Sequence, residues 1–390
     1  MITSTFPNLR RLTPQDGAHY FFGYYDIPAF SNNDKLHLAH RVQFWDRLPR
    51  EDDIAEIGFI ERDKSTFTPL AKTAAWNFQQ GSMLQWFPNN NADEIIFNVR
   101  EKSTFGSCII NIASGNKRYF SMPVANVDPQ GRYALGINFS RMFDFRSGYG
   151  YAGIADPWKD ENHPEEDGIY LQNFRDGSVK LILSLQQIWE FTRQWLPEEN
   201  QKVLVNHITF NPSGTRFVAL VRYFSTPERK WATIVITANA DGTDLRAMKE
   251  GYIAASHYHW KNDEVLMIYA AGEEGVQLYE WNDRTHEEKA INPDMFHQDG
   301  HCSYSPERNV ILYDSYPDKE RNQQLFTYDS ETQQARQLGK LYSYDQGNID
   351  IRCDLHPRWN RAGEVISLDS NHEGSRQIYE LEMANYHATK

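Results

Sequence analysis

Short apolar runs separated by polar turns recur along the whole chain. Seven times a run ends at a large apolar residue, a turn rich in Asn, Asp, Ser, Pro and Gly follows, and a second β-rich run begins. The residues that end the first run of each unit are Phe30, Trp86, Val127, Phe210, Trp260, Tyr304 and Trp359. Each unit therefore predicts a strand, a turn and a second strand.

Further strands extend this pattern in the clearer units. The runs 277–281, 324–328 and 377–381 predict a third strand, and a polar turn leads from each of them to a fourth. Four short strands that recur at roughly 40 to 55 residues are typical of a propeller blade. The sequence predicts an all-β fold, a seven-bladed β-propeller of four-stranded antiparallel blades, in a single domain over residues 1–390.

The interval between Val127 and Phe210 is too long for one blade. It contains the polar segment 156–168 and a candidate helix around residues 185–195. We interpret the stretch at about 141–203 as a long excursion over one face of the propeller. An eighth, degenerate blade is the alternative.

A histidine stands three residues ahead of the aromatic residue in each of the last four units. These histidines are His207, His257, His301 and His356. The strand that leads into the turn of a blade lines the central channel, so equivalent residues of consecutive blades lie on one arc. Imidazoles on such an arc suit zinc, manganese or a similar ion, and Cys353 and Asp354 could complete the shell. Four separate structural histidines are the alternative.

Aromatic, amide and arginine side chains are concentrated in the first half of the chain. Aromatic rings and amides suit the apolar faces and hydroxyls of a sugar, and arginine suits a carboxylate. The candidate substrate-binding residues are Tyr24, His40, Arg41, Gln80, Arg141 and Arg146. Blade packing and turn chemistry are the alternative for each of them.

Composition limits the partners and the compartment. A formal net charge of −13 argues against nucleic acid and against an anionic membrane surface. No stretch approaches the roughly 18 apolar residues of a membrane span. The N-terminus has no signal-peptide pattern and three cysteines form no disulfide framework, so we expect a cytoplasmic protein and leave its oligomeric state open.

Several segments resemble known propeller families. Residues 355–363 and 369–374 resemble the repeat of Tol-type propellers. Asp299-Gly-His-Cys-Ser-Tyr-Ser-Pro306, Ser256-His-x-x-Trp260 and Arg352-Cys-Asp-Leu-His-Pro-Arg-Trp359 resemble oligogalacturonate-lyase-like and ulvan-lyase-like propeller proteins. Oligogalacturonate lyases are cytoplasmic seven-bladed propellers whose metal is held by three histidines and an amide, with a further histidine as the base.

The resemblance implies a role for each histidine. His257, His301 and His356 are the matching metal ligands, with Cys353 as an additional candidate, and His207 is the matching base. The ulvan-lyase-like branch uses histidine and tyrosine for proton transfer and arginine to neutralise the uronate. Tyr149 and Arg222 are the counterparts of that tyrosine and that arginine.

The function that the resemblance implies is a lyase that cleaves a uronic-acid-containing glycan by β-elimination. An acidic oligosaccharide would be the substrate, and a divalent ion, zinc or manganese with calcium as an alternative, or Arg222 would neutralise its carboxylate. Two alternatives stay open. One is a rhamnosidase-like glycoside hydrolase, and the other is a non-catalytic propeller that binds a glycan or a protein and holds a structural ion.

Overall fold

Seven antiparallel sheets of four strands each form the protein. The computed structural model describes residue 6 and residues 8–88, 93–225 and 230–383. All the strands within these ranges fall into the seven sheets. The fold is therefore the predicted all-β, seven-bladed β-propeller.

The chain begins with a short strand, β1 (Arg10–Arg11), that belongs to the last blade, and blades one to three follow. Each of these blades uses four consecutive strands, and its first strand borders the central channel. Their strands are β2 (His19–Phe21), β3 (Leu36–Val42), β4 (Ala55–Glu61) and β5 (Thr66–Thr73), then β6 (Gln85–Trp86), β7 (Glu94–Glu101), β8 (Thr104–Asn111) and β9 (Lys117–Phe120), then β10 (Asn126–Val127), β11 (Tyr133–Gly136), β12 (Gly168–Asn173) and β13 (Val179–Ser184).

Blades four to six repeat this arrangement with longer strands. Their strands are β14 (Leu204–Phe210), β15 (Arg216–Ser225), β16 (Lys230–Asn239) and β17 (Arg246–Ala247), then β18 (Ala255–Trp260), β19 (Val265–Gly272), β20 (Gly275–Asn282) and β21 (Glu288–Ala290), then β22 (Cys302–Tyr304), β23 (Val310–Asp314), β24 (Asn322–Asp329) and β25 (Gln334–Tyr342). In most blades the residue that ends the first strand is the aromatic residue of the sequence repeat.

The seventh blade closes the ring by pairing the two ends of the chain. It consists of β26 (Arg358–Trp359), β27 (Val365–Ser370), β28 (Gln377–Glu382) and, at the outer edge, β1. Arg10 and Arg11 lie opposite Glu380 and Tyr379. The buried carboxylate of Glu380 also accepts a hydrogen bond from Arg62 of blade one, so blade seven is tied to its neighbour as well.

The long interval before blade four holds two insertions separated by a hairpin. The first insertion contains α1 (Phe139–Phe145), and β12 and β13 then complete blade three. The second contains α2 (Leu185–Thr192), where Ser184 and Gln187 form a capping box, and a 3-10 helix (Arg193–Trp195). The stretch interpreted as one excursion thus includes half of a blade, and the described residues form no eighth sheet.

The blades pack face to face through their central strands. In β15, Phe217, Ala219 and Val221 pack into one apolar cluster, whereas Val218 and Leu220 pack into another. Successive side chains of a strand point to opposite faces, so both faces of this sheet are covered by neighbouring blades. This explains why the central strands are nearly continuous apolar runs.

The centre of the propeller is filled by a piece of blade one. The chain leaves β2 and crosses the channel at residues 23–27, the channel segment, before Phe30 bridges to His37. Tyr25 Oη donates to the Tyr258 carbonyl oxygen at 2.8 Å and accepts from the Tyr258 amide at 3.0 Å. Gly23 has a φ of +133°, and a Cβ there would lie 2.8 Å from the Gln80 carbonyl oxygen.

No helix among the described residues is long and apolar enough to cross a membrane.

Closure of the ring generates the first prediction. Leu12 is fully buried, and its amide donates to the Ile378 carbonyl oxygen at 2.9 Å. Leu12→Ala should lower the free energy of unfolding by about 2–5 kcal/mol, because a cavity is left beside the closing strand pair. Denaturant titration measures the change. Val276→Ala is the control, since Val276 is 47% exposed and should change stability by less than about 0.5 kcal/mol; equal effects in both variants would contradict the prediction.

Candidate active site

The four repeated histidines come from irregular points at the start of the channel-lining strands. The strand registers of β14 and β18 shift at His207 and around His257, while His301 and His356 lie just ahead of β22 and β26. His207 and His356 have positive φ values of 49° and 40°. Bulges redirect side chains, and left-handed backbone at residues other than glycine costs about 1–3 kcal/mol. The irregular backbone at these points turns the imidazole rings out of the regular alternation of the strands.

The four imidazole rings lie together at one mouth of the channel. The ring centroids of His257 and His301 are 4.2 Å apart, and those of His301 and His356 are also 4.2 Å apart. Tyr24 of the channel segment stacks on His207 at 4.9 Å and lies 5.1 Å from His356. The rings of four consecutive blades are thus gathered around one buried tyrosine.

Three residues could hold a metal ion beneath this mouth. Ligand atoms of His301, Asp354 and His356 all lie within 4.8 Å of one another, and all three residues are buried. Neither ring nitrogen of His356 has a hydrogen-bond partner among the described residues. A buried nitrogen without a partner costs about 1–3 kcal/mol, which a bound cation would relieve.

The environment of His301 is also that of a metal ligand. Its Nδ1 lies 3.0 Å from both carboxylate oxygens of Asp314, so Nε2 is the nitrogen left for coordination. A carboxylate behind a ligating histidine fixes its tautomer and makes it more basic. Burial disfavours the charged ring, but Asp314 outweighs burial and raises the pKa of His301. The donor set therefore fits a divalent cation.

His257 has the arrangement of a general base. Its Nδ1 lies 2.9 Å from Asp299 Oδ1, and its Nε2 lies 3.5 Å from the Tyr316 hydroxyl. Burial lowers the pKa of His257 although Asp299 opposes the shift, so the ring is neutral at neutral pH. A neutral ring that donates Nδ1–H to a carboxylate keeps a lone pair on Nε2, which can accept a proton.

His207 is held at both ring nitrogens. The Gln80 amide nitrogen donates to Nδ1 at 3.2 Å, so the ring proton is on Nε2, which lies 3.1 Å from Tyr24 Oη. Burial, with a contribution from Arg222, lowers the pKa of His207 well below its usual value. The predicted base is thus a neutral ring whose lone pair is already used by Gln80.

A cavity of about 940 Å³, here called the upper cavity, opens above the histidines. His207, His257 and Tyr149 line it, together with three arginines. These are Arg146, Arg222 and Arg352. A pocket of this size accommodates a short oligosaccharide. Three carboxylates line it as well, those of Asp144, Asp299 and Asp350.

The three arginines differ in how their charge is balanced. Arg146 Nε pairs with Asp350 at 2.7 Å, and Arg352 pairs with Asp354 at 2.6 Å. Arg222 is buried, donates to neutral oxygens and forms no ion pair with any described carboxylate. An anionic ligand would therefore be attracted most strongly by Arg222.

Of the six predicted substrate-binding residues, Arg146 alone lines the upper cavity. Tyr24 and Gln80 contact His207, and His40 and Arg41 lie in blade one. His40 stacks on Phe21 and accepts a hydrogen bond from the Ser82 amide at 2.9 Å, while burial lowers the pKa of its ring to about 3. Arg41 pairs with Asp16 and Glu56 at 3.2 Å. Their contacts are therefore with blade one and with Ser82, which precedes blade two.

Arg141 and Cys353 also lie outside the upper-cavity lining. Arg141 is buried, pairs with Asp156 and donates to four backbone carbonyl groups, so it anchors the insertions around α1 and α2. Cys353 is fully buried, and burial raises the pKa of its thiol to about 12. Its neighbour Asp354, rather than Cys353, belongs to the group of close ligand atoms.

The sequence contained weak signals for the residues that were missed. Asp299 precedes His301 by two positions, and Arg352 stands beside Cys353. Asp314 ends the second strand of blade six, directly opposite the segment that carries His301. Asp314 could have been identified from the antiparallel pairing that places the end of this strand opposite His301. Tyr316 follows the same strand and belongs to no recognisable motif.

Comparisons with known proteins agree with this architecture. No protein-family model and no curated protein sequence matches the chain. Among solved structures, an oligogalacturonate lyase in complex with manganese is 14% identical with a TM-score of 0.69, covering 98% of this chain and 96% of that chain. An oligogalacturonate lyase from Vibrio parahaemolyticus is 12% identical with a TM-score of 0.66 and the same coverage. The propeller domain of the trilobed protease from Pyrococcus furiosus is 9% identical with a TM-score of 0.54, covering 95% and 97%. The chain is therefore similar in fold to the oligogalacturonate lyases, over almost its whole length.

Proposed function

We propose that the protein is a lyase that cleaves a uronate-containing oligosaccharide by β-elimination. One observation carries the proposal: the upper cavity brings together Arg222, which forms no ion pair within the described residues, and His257, which is supported by a carboxylate. The similarity in fold to two oligogalacturonate lyases supports the same reaction class.

Substrate binding would begin with the carboxylate of the sugar. Arg222 is fixed by Asn206 and Thr233, and its guanidinium lies 4.7 Å from the centre of the Trp231 ring. A carboxylate bound to this cation is neutralised, and its α-proton becomes easier to remove because the developing negative charge is stabilised. Trp231, which also lines the cavity, offers an apolar face to the sugar ring.

Proton transfer is assigned to His257 and Tyr149. Nε2 of His257 takes the proton from the carbon that bears the carboxylate, the electron pair forms a carbon–carbon double bond, and the bond to the glycosidic oxygen breaks. Tyr149 lines the same cavity, and burial raises the pKa of its hydroxyl, which keeps the proton that the leaving oxygen requires. His207 then orients Tyr24 through its Nε2–H, instead of accepting the proton.

The metal site would lie directly behind these groups. His301, Asp354 and His356 would hold a divalent ion, and His301 packs against His257. A bound ion would supply positive charge that favours ionisation of the substrate beside its carboxylate. The manganese in the oligogalacturonate lyase structure is consistent with such an ion.

Metal binding is the first test of this proposal. The purified protein should contain one divalent ion per chain, and His356→Gln should lose it, because the change removes a ring whose two nitrogens have no hydrogen-bond partner among the described residues. Elemental analysis and titration with manganese and zinc measure the effect. His297→Gln is the matched control, since His297 is an exposed histidine; equal metal content in wild type and His356→Gln would refute the assignment.

Activity on uronate oligomers is the second test. The protein should release a product with an unsaturated sugar that absorbs ultraviolet light. His257→Gln should lower kcat by about 10²–10⁴-fold, the usual contribution of a general base. Arg222→Gln should raise KM and also lower kcat, because the carboxylate is bound in both the ground state and the transition state.

The variants His207→Gln and His257→Gln separate the two candidate bases. A larger loss of kcat in His207→Gln would return the base role to His207. Reducing ends without ultraviolet absorption would indicate a hydrolase. Absence of any cleavage of uronate oligomers by the metal-loaded protein would leave a binding propeller as the better explanation.

A further inference from the structure

The opposite mouth of the channel carries a second concave site. Two adjoining cavities of about 310 Å³ and about 320 Å³ lie where the turns that follow the channel-lining strands meet. Both are lined by Asp26, Ile27, Pro28, His259, Arg308 and Arg361, which together define the lower mouth. The channel segment separates the lower mouth from the four histidines, so the two sites are distinct.

Arg308 reaches the lower mouth from the turn of blade six. Its Nη1 donates to the Trp260 carbonyl oxygen at 2.9 Å and to His259 Nδ1 at 3.2 Å. His259 is neutral, because burial and the charge of Arg308 lower the pKa of its ring to about 3. Arg308 is therefore held in place by neutral groups, and it forms no ion pair with any described carboxylate.

Arg361 occupies the corresponding turn of blade seven. Its Nε donates to the Phe30 carbonyl oxygen at 3.2 Å, and neither Nη atom forms a hydrogen bond or ion pair within the described residues. Its side chain is anchored through Nε, so both Nη groups can donate to a ligand. A guanidinium in this state can bind a carboxylate or phosphate through two parallel hydrogen bonds.

The remaining charged groups near the lower mouth form no ion pair with these two guanidinium groups within the described residues. Asp34 lies near Arg361, but its carboxylate accepts hydrogen bonds from the backbone amides of Arg361 and Ala362. Arg358 lines one of the cavities but is paired with Asp369 at 2.7 Å. Asp26 is the one carboxyl among the residues that line either cavity. It is half-buried in the channel segment, where burial raises its pKa to about 6, and it accepts a hydrogen bond from Thr209 at 3.4 Å and forms no ion pair with Arg308 or Arg361.

Within the described residues, neither Arg308 nor Arg361 pairs with a carboxylate, although the chain has a formal net charge of −13 and both guanidinium groups line the same two cavities. Like charges brought together cost free energy that a bound anion recovers. We propose that the lower mouth is a binding site for a small, multiply charged oxyanion, an organic phosphate or a polycarboxylate. The guanidinium N–H groups of Arg308 and the two Nη groups of Arg361 provide the hydrogen-bond donors.

Calorimetric titration of the full chain at low ionic strength tests this site, with inorganic phosphate and citrate as the two probes. At least one probe should bind, and whichever binds identifies phosphate or carboxylate as the preferred chemistry. Arg361→Gln and Arg308→Gln should each weaken binding by at least about tenfold, because each removes one of two charged donors. Added salt should weaken binding as well.

Two control variants make the result specific. Arg146→Gln removes a cation of the upper cavity, and Arg175→Gln removes an exposed arginine from the turn between β12 and β13. Both variants should bind the probe as the wild type does. Thermal unfolding verifies that Arg361→Gln is folded. The proposal is overturned if neither probe binds, if binding is lost in Arg146→Gln but kept in Arg361→Gln, or if both lower-mouth variants bind as the wild type does.

Discussion

Pairing of β1 with β28 is the interaction on which the remaining structure depends. A propeller blade buries both faces against its neighbours, so the ring is stable only when the first and last blades also meet. Here the N-terminal strand β1 completes the seventh blade. The Glu380 carboxylate accepts hydrogen bonds from Arg10 of β1 and from Arg62 of blade one. Every channel-lining strand takes its position from this closed ring, and so do the side chains at its two mouths.

The upper mouth concentrates features that are individually unfavourable for folding. His207 and His356 have left-handed backbone there. Among the described residues, the buried Arg222 has no carboxylate partner and the two ring nitrogens of His356 have no hydrogen-bond partner. The apolar packing between blades supplies the stability that offsets these costs. A molecule that merely needed a stable propeller would have no reason to retain them, and their common location is what makes this mouth the candidate site.

The repeating pattern was sufficient to predict the fold, because each blade is a local unit whose strands follow one another in sequence. It also placed the four histidines at equivalent positions, and the closed ring brings them together. The pattern could not assign their individual tasks. The proposed roles of the histidines depend on their ring tautomers, which are fixed by hydrogen-bond partners from other strands or other blades. These partners are Asp299 for His257, Asp314 for His301 and Gln80 for His207. Arg141 shows the converse limitation, since nothing in its local sequence distinguishes an anchor for an insertion from a ligand for a sugar.

The channel segment gives the propeller a closed centre. Tyr24 and Tyr25 are buried across the axis, and the hydrogen bonds between Tyr25 and Tyr258 join opposite sides of the ring. Within the described residues, the channel segment therefore closes the axis between the upper cavity and the lower mouth. A polymer chain cannot be threaded along the axis past Tyr24 and Tyr25, so a ligand of the upper cavity enters and leaves on the upper side of the propeller.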